Sequence, residues 1–276
     1  MPAQPVDIDR LARAASGRTL VMGVVNTTPD SFSDGGDFLA PEVAIAHGHR
    51  LLAEGADIVD VGGESTRPGA AEVDAGTELA RVMPVVEALV AAGALVSIDT
   101  YKAAVAEKAL AAGARIVNDV YGLQRDPGIA RVAGDHGAAV IASHWERGPR
   151  GGGDLIDSMK RYFDRAVAQA RAAGIPDRRI VLDPGIGFGK ELADNLAILN
   201  RFAEIAALGF PVLIGVSRKR FIGNLTGRVP KERLAGTIAA NVLAVAAGAA
   251  IVRVHDVAAH RDALAVTDAI LAGRAP

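Results

Sequence analysis

The sequence predicts a single (β/α)8 barrel with its active site at the carboxyl ends of the strands. Three observations lead to this prediction: eight short apolar runs, an amphipathic segment between consecutive runs, and a glycine near the end of most of those segments. Such barrels take about 250 residues, and the chain has 276. The alternative is an open, doubly wound sheet, in which ligands also bind beyond the carboxyl ends of the strands.

Each apolar run stops at a polar or glycine-rich cluster. Short apolar runs that are bounded by turn residues are typical of strands buried on both faces. The clusters should therefore form one ring at the mouth of the barrel. In chain order the runs are residues 20–25, 58–61, 95–98, 116–117, 138–142, 180–182, 212–216 and 251–252.

The segments between the runs predict helices. Apolar residues recur three and four positions apart, as in Leu192, Leu196, Leu199 and Ala203, which is the pattern of an amphipathic helix. Glycine is favoured just after a helix because it adopts a left-handed backbone without a Cβ penalty. We expect this conformation at Gly55, Gly93, Gly113, Gly137, Gly174, Gly209 and Gly248.

Composition indicates one globular domain, which we assign to residues 19–276, preceded by a lead segment at residues 1–18. Half of the residues are hydrophobic and the formal net charge is −2, without a block of like charge. We therefore expect no nucleic-acid partner. The absence of cysteine excludes disulfides and cysteine metal sites, and agrees with the cytoplasmic location that we expect.

Neither end of the sequence predicts a membrane or targeting segment. The lead contains Asp7, Asp9, Arg10 and Arg13 and has no apolar core, so we interpret it as a flexible lead or a short covering helix. Residues 235–252 are apolar, but they are rich in alanine and glycine and include two polar residues. We expect no span there.

Two loops stand out by composition. Residues 26–36 follow the first strand and are rich in Gly, Pro, Ser, Thr and Asp, which excludes a helix. Residues 62–69 follow the second strand, where glycines allow close backbone approach and hydroxyls with Arg67 can bind an anion. Taken alone, either segment could equally be an ordinary surface connection.

Seven strings in order along the chain resemble the signatures of the dihydropteroate synthase family. Two of them contain the loops just described, with Pro-Asp-Ser-Phe-Ser-Asp-Gly-Gly in the first and Gly-Gly-Glu-Ser-Thr-Arg-Pro-Gly in the second. The strings lie at residues 22–36, 60–69, 97–100, 117–120, 182–190, 217–221 and 253–257. The resemblance covers the chain from about residue 20 to the last predicted helix.

The resemblance implies a (β/α)8 enzyme of folate synthesis. This family joins (7,8-dihydropterin-6-yl)methyl diphosphate to 4-aminobenzoate and releases diphosphate. The N–H donors of a pterin need acceptors in a dry pocket, and Asp99 and Asp183 supply carboxylates at two strand ends. By resemblance, Asn118 and Lys219 complete the pterin-binding set.

The diphosphate requires positive charge where the leaving group develops negative charge. Arg253 and His255 follow the last strand two positions apart, so strand alternation can place both on the same side. A helix that begins near Val257 would add N-terminal amide donors. The resemblance adds Asn26 and Thr66 to this set.

The resemblance further implies that Asn26 is a ligand of Mg²⁺. One amide oxygen makes a weak site, so we expect the metal to arrive with the diphosphate, whose oxygens and waters complete the shell. Asp30 or Asp34 could assist through water. The sequence shows no zinc-like cluster of His, Asp and Glu.

We expect a dissociative substitution: the C–O bond breaks first, and the arylamine captures the pterin-stabilised cation. The resemblance gives Asp34, Arg67 and Lys219 catalytic roles, with Asp34 facing the cation and Arg67 reaching the diphosphate. Closure of the two loops would exclude water. It would also order the second pocket, so that sulfonamides, as mimics of 4-aminobenzoate, should bind only with diphosphate present.

The positions that the family uses for 4-aminobenzoate are Thr66, Pro68, Phe188 and Ser217, with ring stacking on Pro68 and Phe188. The chain departs from the family pattern on the fifth strand. Ser143 stands where Met is frequent, and Trp145 opens the following loop. A smaller, polar residue alters the floor of the pterin pocket, so no pterin contact is assigned to Ser143.

Three other functions remain open at this point. A barrel that transfers a methyl group from folate would share the carboxylates, but would not use Asn26, Arg67, Arg253 and His255 as a diphosphate set. A non-catalytic pterin-binding paralogue and a Schiff-base aldolase using Lys219 are the others. The resemblance also suggests a homodimer through the last helices, and Ala239, Ala246 and Ala247 are compatible with close helix packing.

Overall fold

Eight parallel strands form one closed barrel in a computed structural model that describes residues 7–12, 16–28, 41–65, 71–146 and 153–273. The strands pair in the order β6-β5-β4-β3-β2-β1-β8-β7, and a bridge from Leu182 to Val212 joins the two ends. The predicted fold is confirmed. The strands are β1 Leu20–Asn26, β2 Ile58–Gly62, β3 Val96–Asp99, β4 Ile116–Asp119, β5 Ala139–Ser143, β6 Ile180–Asp183, β7 Leu213–Ile214 and β8 Ile251–Val254.

Helices alternate with the strands along the chain, as the apolar periodicity predicts. The seven glycines expected to follow helices all have positive φ. The helices are α1 Pro41–Ala53, α2 Ala75–Ala91, α3 Ala103–Ala111, α4 Ile129–Asp135, α5 Leu155–Ala172, α6 Leu192–Asn200, α7 Phe202–Ala206, α8 Arg220–Thr226, α9 Leu234–Ala246 and α10 Val257–Ala272.

Several predicted strand ends differ from the structure by one or two residues, and Arg253, expected after the last strand, lies within β8. Two predicted elements are shorter than expected. The helix expected through Ala203 is divided at Arg201, whose backbone leaves the helical range between α6 and α7. The strand expected at residues 212–216 is regular only over Leu213–Ile214, preceded by the single bridge from Val212 to Leu182. The chain turns there, because the Val216 carbonyl accepts the Lys219 N–H at 3.1 Å.

The hydrophobic core has two layers, one inside the barrel and one between the strands and the surrounding helices. The inner layer includes Met22, Ile58 and Ile141, which are fully buried. Ile8 and Leu11, from the described part of the lead, belong to the same inner cluster and are 4% and 0% exposed. They cover the amino ends of the strands, so the opposite end is the one that bears polar groups.

None of the helices in the described ranges is long and apolar enough to cross a membrane. The apolar stretch at residues 235–252 is divided between α9 and β8.

Candidate active site

Polar side chains from neighbouring strands meet at the carboxyl ends of the barrel. Asp99 on β3 pairs in register with Gly62 on β2 and with Asn118 on β4. On the other side, Ser143 on β5 pairs with Asp183 on β6. Since paired residues of parallel strands point to the same face, these side chains lie together at the mouth.

Arg253 on β8 pairs with carboxylates of β2 and β3 on one side of this ring. Its Nε donates to Asp60 Oδ2 at 2.6 Å, and its Nη2 donates to Asp99 Oδ2 at 2.7 Å. Asn118 Nδ2 donates to the same Asp60 oxygen at 3.0 Å. A cation predicted to bind diphosphate and a carboxylate predicted to bind the pterin are therefore directly paired.

Asp183 is held by two donors at the end of β6. Ser143 Oγ donates to its Oδ2 at 3.0 Å, and the Gly185 N–H donates to its Oδ1 at 2.8 Å. Gly185 has a φ of 65°, and a Cβ there would lie 2.2 Å from the His144 carbonyl oxygen. The serine that departs from the family pattern thus orients a predicted pterin ligand.

Lys219 reaches the mouth from the turn after β7. Its Nζ donates to the Ile186 carbonyl and lies 4.3 Å from the centre of the Phe188 ring. Burial lowers its pKa to about 8, although the negative charges of Asp183 and Asp99 oppose this shift. The ammonium is therefore close to the carboxylates predicted to share the pterin with it.

Burial also perturbs Asp99. It raises the pKa of this carboxyl to about 7, against the attraction of Arg253 and with a smaller contribution from Asp60. For Arg253, the two carboxylates outweigh the effect of burial and hold its pKa above the usual value. The site thus contains an acid and a base that both titrate near neutrality.

The loop after β6 presents Phe188 to the mouth. Trp145 stacks on Phe188 with ring centres 5.0 Å apart and planes at 29°. Lys190 Nζ donates to the carbonyls of His144 at 3.0 Å, Gly185 at 2.9 Å and Phe188 at 3.1 Å. These contacts fix the loop, so that Phe188 forms a rigid wall.

Ser217 and His255 meet at the ends of β7 and β8. The His255 N–H donates to Ser217 Oγ at 3.1 Å, and the serine hydroxyl lies 2.9 Å from His255 Nδ1. The groups predicted for 4-aminobenzoate and for diphosphate are therefore in direct contact here. Arg218, with a φ of 58°, turns away and pairs with Asp256, its Nε 3.1 Å from Oδ2.

Asn26 ends β1 and is half-buried. Its side chain makes no hydrogen bond to another described residue, so the amide oxygen is available to a ligand. Within the described residues there is no group of three or more His, Cys, Asp or Glu side chains that could hold a metal. The donor set fits a hard cation that takes its remaining oxygens from a substrate.

Asp34, Thr66, Arg67 and Pro68 lie outside the described residues, as does Asp30. The described start of the second loop is firmly held. Glu64 accepts from the Tyr101 hydroxyl at 3.0 Å and pairs with Lys102, which also pairs with the buried Glu78.

Four residues that contribute to this geometry were given no role by sequence reasoning: Asp60, Ser143, Trp145 and Lys190. A signal existed for Asp60, because a carboxylate inside the apolar run 58–61 needs a buried partner. The contact of Ser143 depends on the register of β5 and β6, and those of Trp145 and Lys190 depend on which loops become neighbours, none of which spacing along the chain reveals.

The fold and the ring of acceptors and cations define a (β/α)8 enzyme site for a nitrogen heterocycle that carries an anionic group. The family model "Pterin binding enzyme" matches residues 22–255. The dihydropteroate synthase of Bacillus subtilis is 46% identical over 241 residues, which are 87% of this chain and 84% of that protein.

Two solved structures from Xanthomonas albilineans are similar throughout. Its dihydropteroate synthase with 4-aminobenzoic acid has a TM-score of 0.87 and 48% identity, covering 92% of this chain and 94% of that one. The same enzyme in complex with 7,8-dihydropteroate has a TM-score of 0.85 and 46% identity over the same shares. The chain therefore belongs to the family of pterin binding enzymes, and within it to the dihydropteroate synthases.

Proposed function

We propose that this protein condenses (7,8-dihydropterin-6-yl)methyl diphosphate with 4-aminobenzoate to give 7,8-dihydropteroate and diphosphate, a step of folate biosynthesis. The observation that carries the proposal is the convergence of Asp99, Asn118, Asp183, Lys219 and Arg253 on one mouth. The complexes of the Xanthomonas relative with 4-aminobenzoic acid and with 7,8-dihydropteroate support the choice of substrate and product.

The pterin lies at the strand ends in this proposal. Asp183 and Asp99 accept from its N–H donors, and the Asn118 amide adds a further polar contact. Lys219 donates to the carbonyl and N5 side of the ring. Because these groups stand on four different elements with fixed partners, the pocket is preorganised for one heterocycle.

The diphosphate lies between β8 and the first two loops. Arg253 uses Nε and Nη2 for Asp60 and Asp99, which leaves its Nη1 for an anion. His255, which contacts Ser217 at the end of β8, joins Arg253 in this role, and by resemblance Asn26 and Thr66 complete the set. When bound, Mg²⁺ held by Asn26 would neutralise charge on the diphosphate oxygens as a Lewis acid.

The reaction is a dissociative substitution. The bond between the pterin methylene and the diphosphate oxygen breaks with both electrons going to oxygen, and Arg253 stabilises the charge that develops. The amine of 4-aminobenzoate then forms the C–N bond and loses a proton. Asp34 faces the cation, Arg67 contacts the diphosphate, and loop closure keeps water out.

4-Aminobenzoate binds against Phe188, whose ring is fixed by Trp145 and approached by Lys219. Pro68 stacks on the other side, and Thr66 and Ser217 meet the carboxylate. We expect the pterin diphosphate to bind first and 4-aminobenzoate second, because two of these residues belong to the second loop, which also contacts the diphosphate in this proposal.

The test is a coupled assay of diphosphate release by the purified protein. We expect release to require both substrates and Mg²⁺, with 7,8-dihydropteroate formed in equal amount. Asp183→Ala should abolish pterin binding, whereas Asp177→Ala, at a surface carboxylate paired with Arg171, should not. Release without 4-aminobenzoate, or equal behaviour of the two variants, would contradict the proposal.

We also propose a homodimer, formed through α9 and α10, and a cytoplasmic location, in keeping with the absence of cysteine. Large apolar side chains are exposed on these helices: Leu243 is 69% exposed, Val266 61% and Ile270 72%. Exposed apolar side chains of this size on two neighbouring helices support an interface there. Sedimentation should show a dimer that Ile270→Glu dissociates, while Val43→Glu on α1 leaves it intact.

A further inference from the structure

Asp60 lies inside the barrel, one layer below the mouth. It is on β2 in register with Ser97 on β3, and its side chain is fully buried. One carboxylate oxygen, Oδ2, accepts from both Arg253 Nε and Asn118 Nδ2. A buried charge is tolerated only when it is paired in this way, so the three side chains form a single unit.

We infer that Asp60 is a positioning residue that holds the guanidinium of Arg253 in place and turns the amide of Asn118 so that its carbonyl oxygen faces the pterin. The inference deepens the proposed function and rests on it. Because Asp60 is fully buried, it acts in this inference through Arg253 and Asn118 and not by contact with a substrate.

The orientation of Asn118 follows from the chemistry of its partner. An ionised carboxylate has acceptors but no donors, so Asn118 must direct its amino group toward Asp60. The other side-chain atom of the amide, Asn118 Oδ1, makes no hydrogen bond to a described residue and is left for the ligand, whereas the Asn118 backbone carbonyl accepts the Thr100 N–H at 3.1 Å. The site consequently offers an acceptor at this position, which suits an N–H donor of the pterin and rejects a ring that has an acceptor there.

The orientation of Arg253 depends on two carboxylates from adjacent strands. Asp60 accepts a hydrogen bond from Nε and Asp99 accepts one from Nη2, and the two bonds together fix the plane of the guanidinium. Gly62 leaves room for the Asp99 side chain next to Asp60, because a Cβ on Gly62 would lie 3.3 Å from the Asp99 Cβ. Without Asp60, one carboxylate would have to hold the guanidinium alone.

The experiment measures the affinity of the purified full-length protein for 6-hydroxymethyl-7,8-dihydropterin, which lacks the diphosphate, by isothermal titration calorimetry. Asp60→Ala should weaken this affinity by about 10- to 100-fold, the loss expected when hydrogen bonds to a charged group are removed. Asp60→Asn should stay within about threefold of the wild type, because its amide oxygen can still accept from Asn118.

Ser97→Ala is the matched control. Ser97 is fully buried in the same layer, and its hydroxyl has no hydrogen-bond partner among the described residues. Its removal should leave the affinity unchanged. If Asp60→Ala does not fold, Asp60→Ser replaces it, since the serine hydroxyl is too short to reach both partners.

A double variant separates positioning from a general structural role. With Asn118→Ala already present, Asp60→Ala should cause much less additional loss of pterin affinity, because the residue it orients is gone. The inference would be overturned if the losses of affinity in the two single variants added up fully in the double variant. It would also be overturned if Asp60→Ala bound the pterin as tightly as the wild type, or if Ser97→Ala lost as much affinity as Asp60→Ala. These titrations do not require turnover, so a wild-type protein that binds the pterin without forming product would refute only the proposed reaction.

Discussion

Asp99 and Lys219 have pKa values near 7 and 8, although the carboxyl and the ammonium normally titrate far apart. Burial is the common cause, since it disfavours whichever form is charged. In the proposed function, the pterin needs Asp99 ionised as an acceptor and Lys219 protonated as a donor. Both conditions hold together only in a narrow range of pH.

We therefore predict a bell-shaped pH profile for kcat/KM of the pterin diphosphate. Activity should rise through about pH 7 as Asp99 loses its proton, and fall above about pH 8 as Lys219 loses its own. Initial rates across this range test the prediction. In Lys219→Arg the side chain stays charged, so the fall in activity above about pH 8 should disappear. If the fall is unchanged, a group other than Lys219 causes it.

Ser143 supports a second prediction at this scale. Ser143→Ala removes one hydrogen bond to Asp183, which should weaken binding of the pterin diphosphate by about 3- to 10-fold. Ser97→Ala, in an equally buried serine that bonds to no described residue, should have no effect. Equal affinities in the two variants would mean that Ser143 does not orient the carboxylate.

The sequence predicted that Asp99, Asn118, Asp183 and Arg253 lie at the mouth, because each stands at the polar end of an apolar run and topology brings such ends together. Their roles toward the substrates stay predictions. It did not find that Arg253 would pair with Asp99, or that Ser143 would reach Asp183. Those contacts depend on strand register and side-chain direction, which the order of residues does not specify.

Among the elements, the loop after β6 is organised by one side chain. Lys190 binds three carbonyls on two loops and so joins the end of β5 to the Phe188 wall. The sequence placed Lys190 within a family string but gave no role for it. The ends of helices were also predicted less well than their existence. The apolar periodicity continues past Arg201, although the helix ends there.

Lys190→Ala should therefore loosen Phe188 and raise KM for 4-aminobenzoate by about 5- to 20-fold, with a smaller effect on pterin affinity, because Asp183 keeps both of its donors. Steady-state kinetics with each substrate varied in turn would measure this. Lys160→Ala, at a surface lysine paired with Asp157, is the control. A proportional loss for both substrates would indicate a general collapse of the loop.

For the whole molecule, stability depends on closing the amino end of the barrel. Leu11 is fully buried in the inner cluster, and Asp9 beside it binds Arg179, its Oδ2 3.0 Å from Nη2. The sequence allowed a covering helix here, but its apolar residues were too few to predict which end of the barrel they would close.

Leu11→Ala should lower the free energy of unfolding by about 2–5 kcal/mol, the usual cost of truncating a buried leucine. Denaturant unfolding would measure the change. Val43→Ala, where the side chain is 48% exposed, should cost well under about 1 kcal/mol. If both variants lost the same amount, the lead would not be part of the core.

The proposed pterin contacts lie on strands, whereas the proposed 4-aminobenzoate contacts lie on loops, and this difference affects inhibition. Asp99 and Asp183 sit in backbone ladders shared with their neighbours, so the proposed pterin contacts lie on the rigid part of the barrel and are made by groups that the reaction itself requires. Phe188 is carried by a connection outside those ladders. We expect organisms under drug pressure to escape aminobenzoate mimics by exchanging such peripheral residues, whereas compounds directed at the strand ends should remain effective for longer.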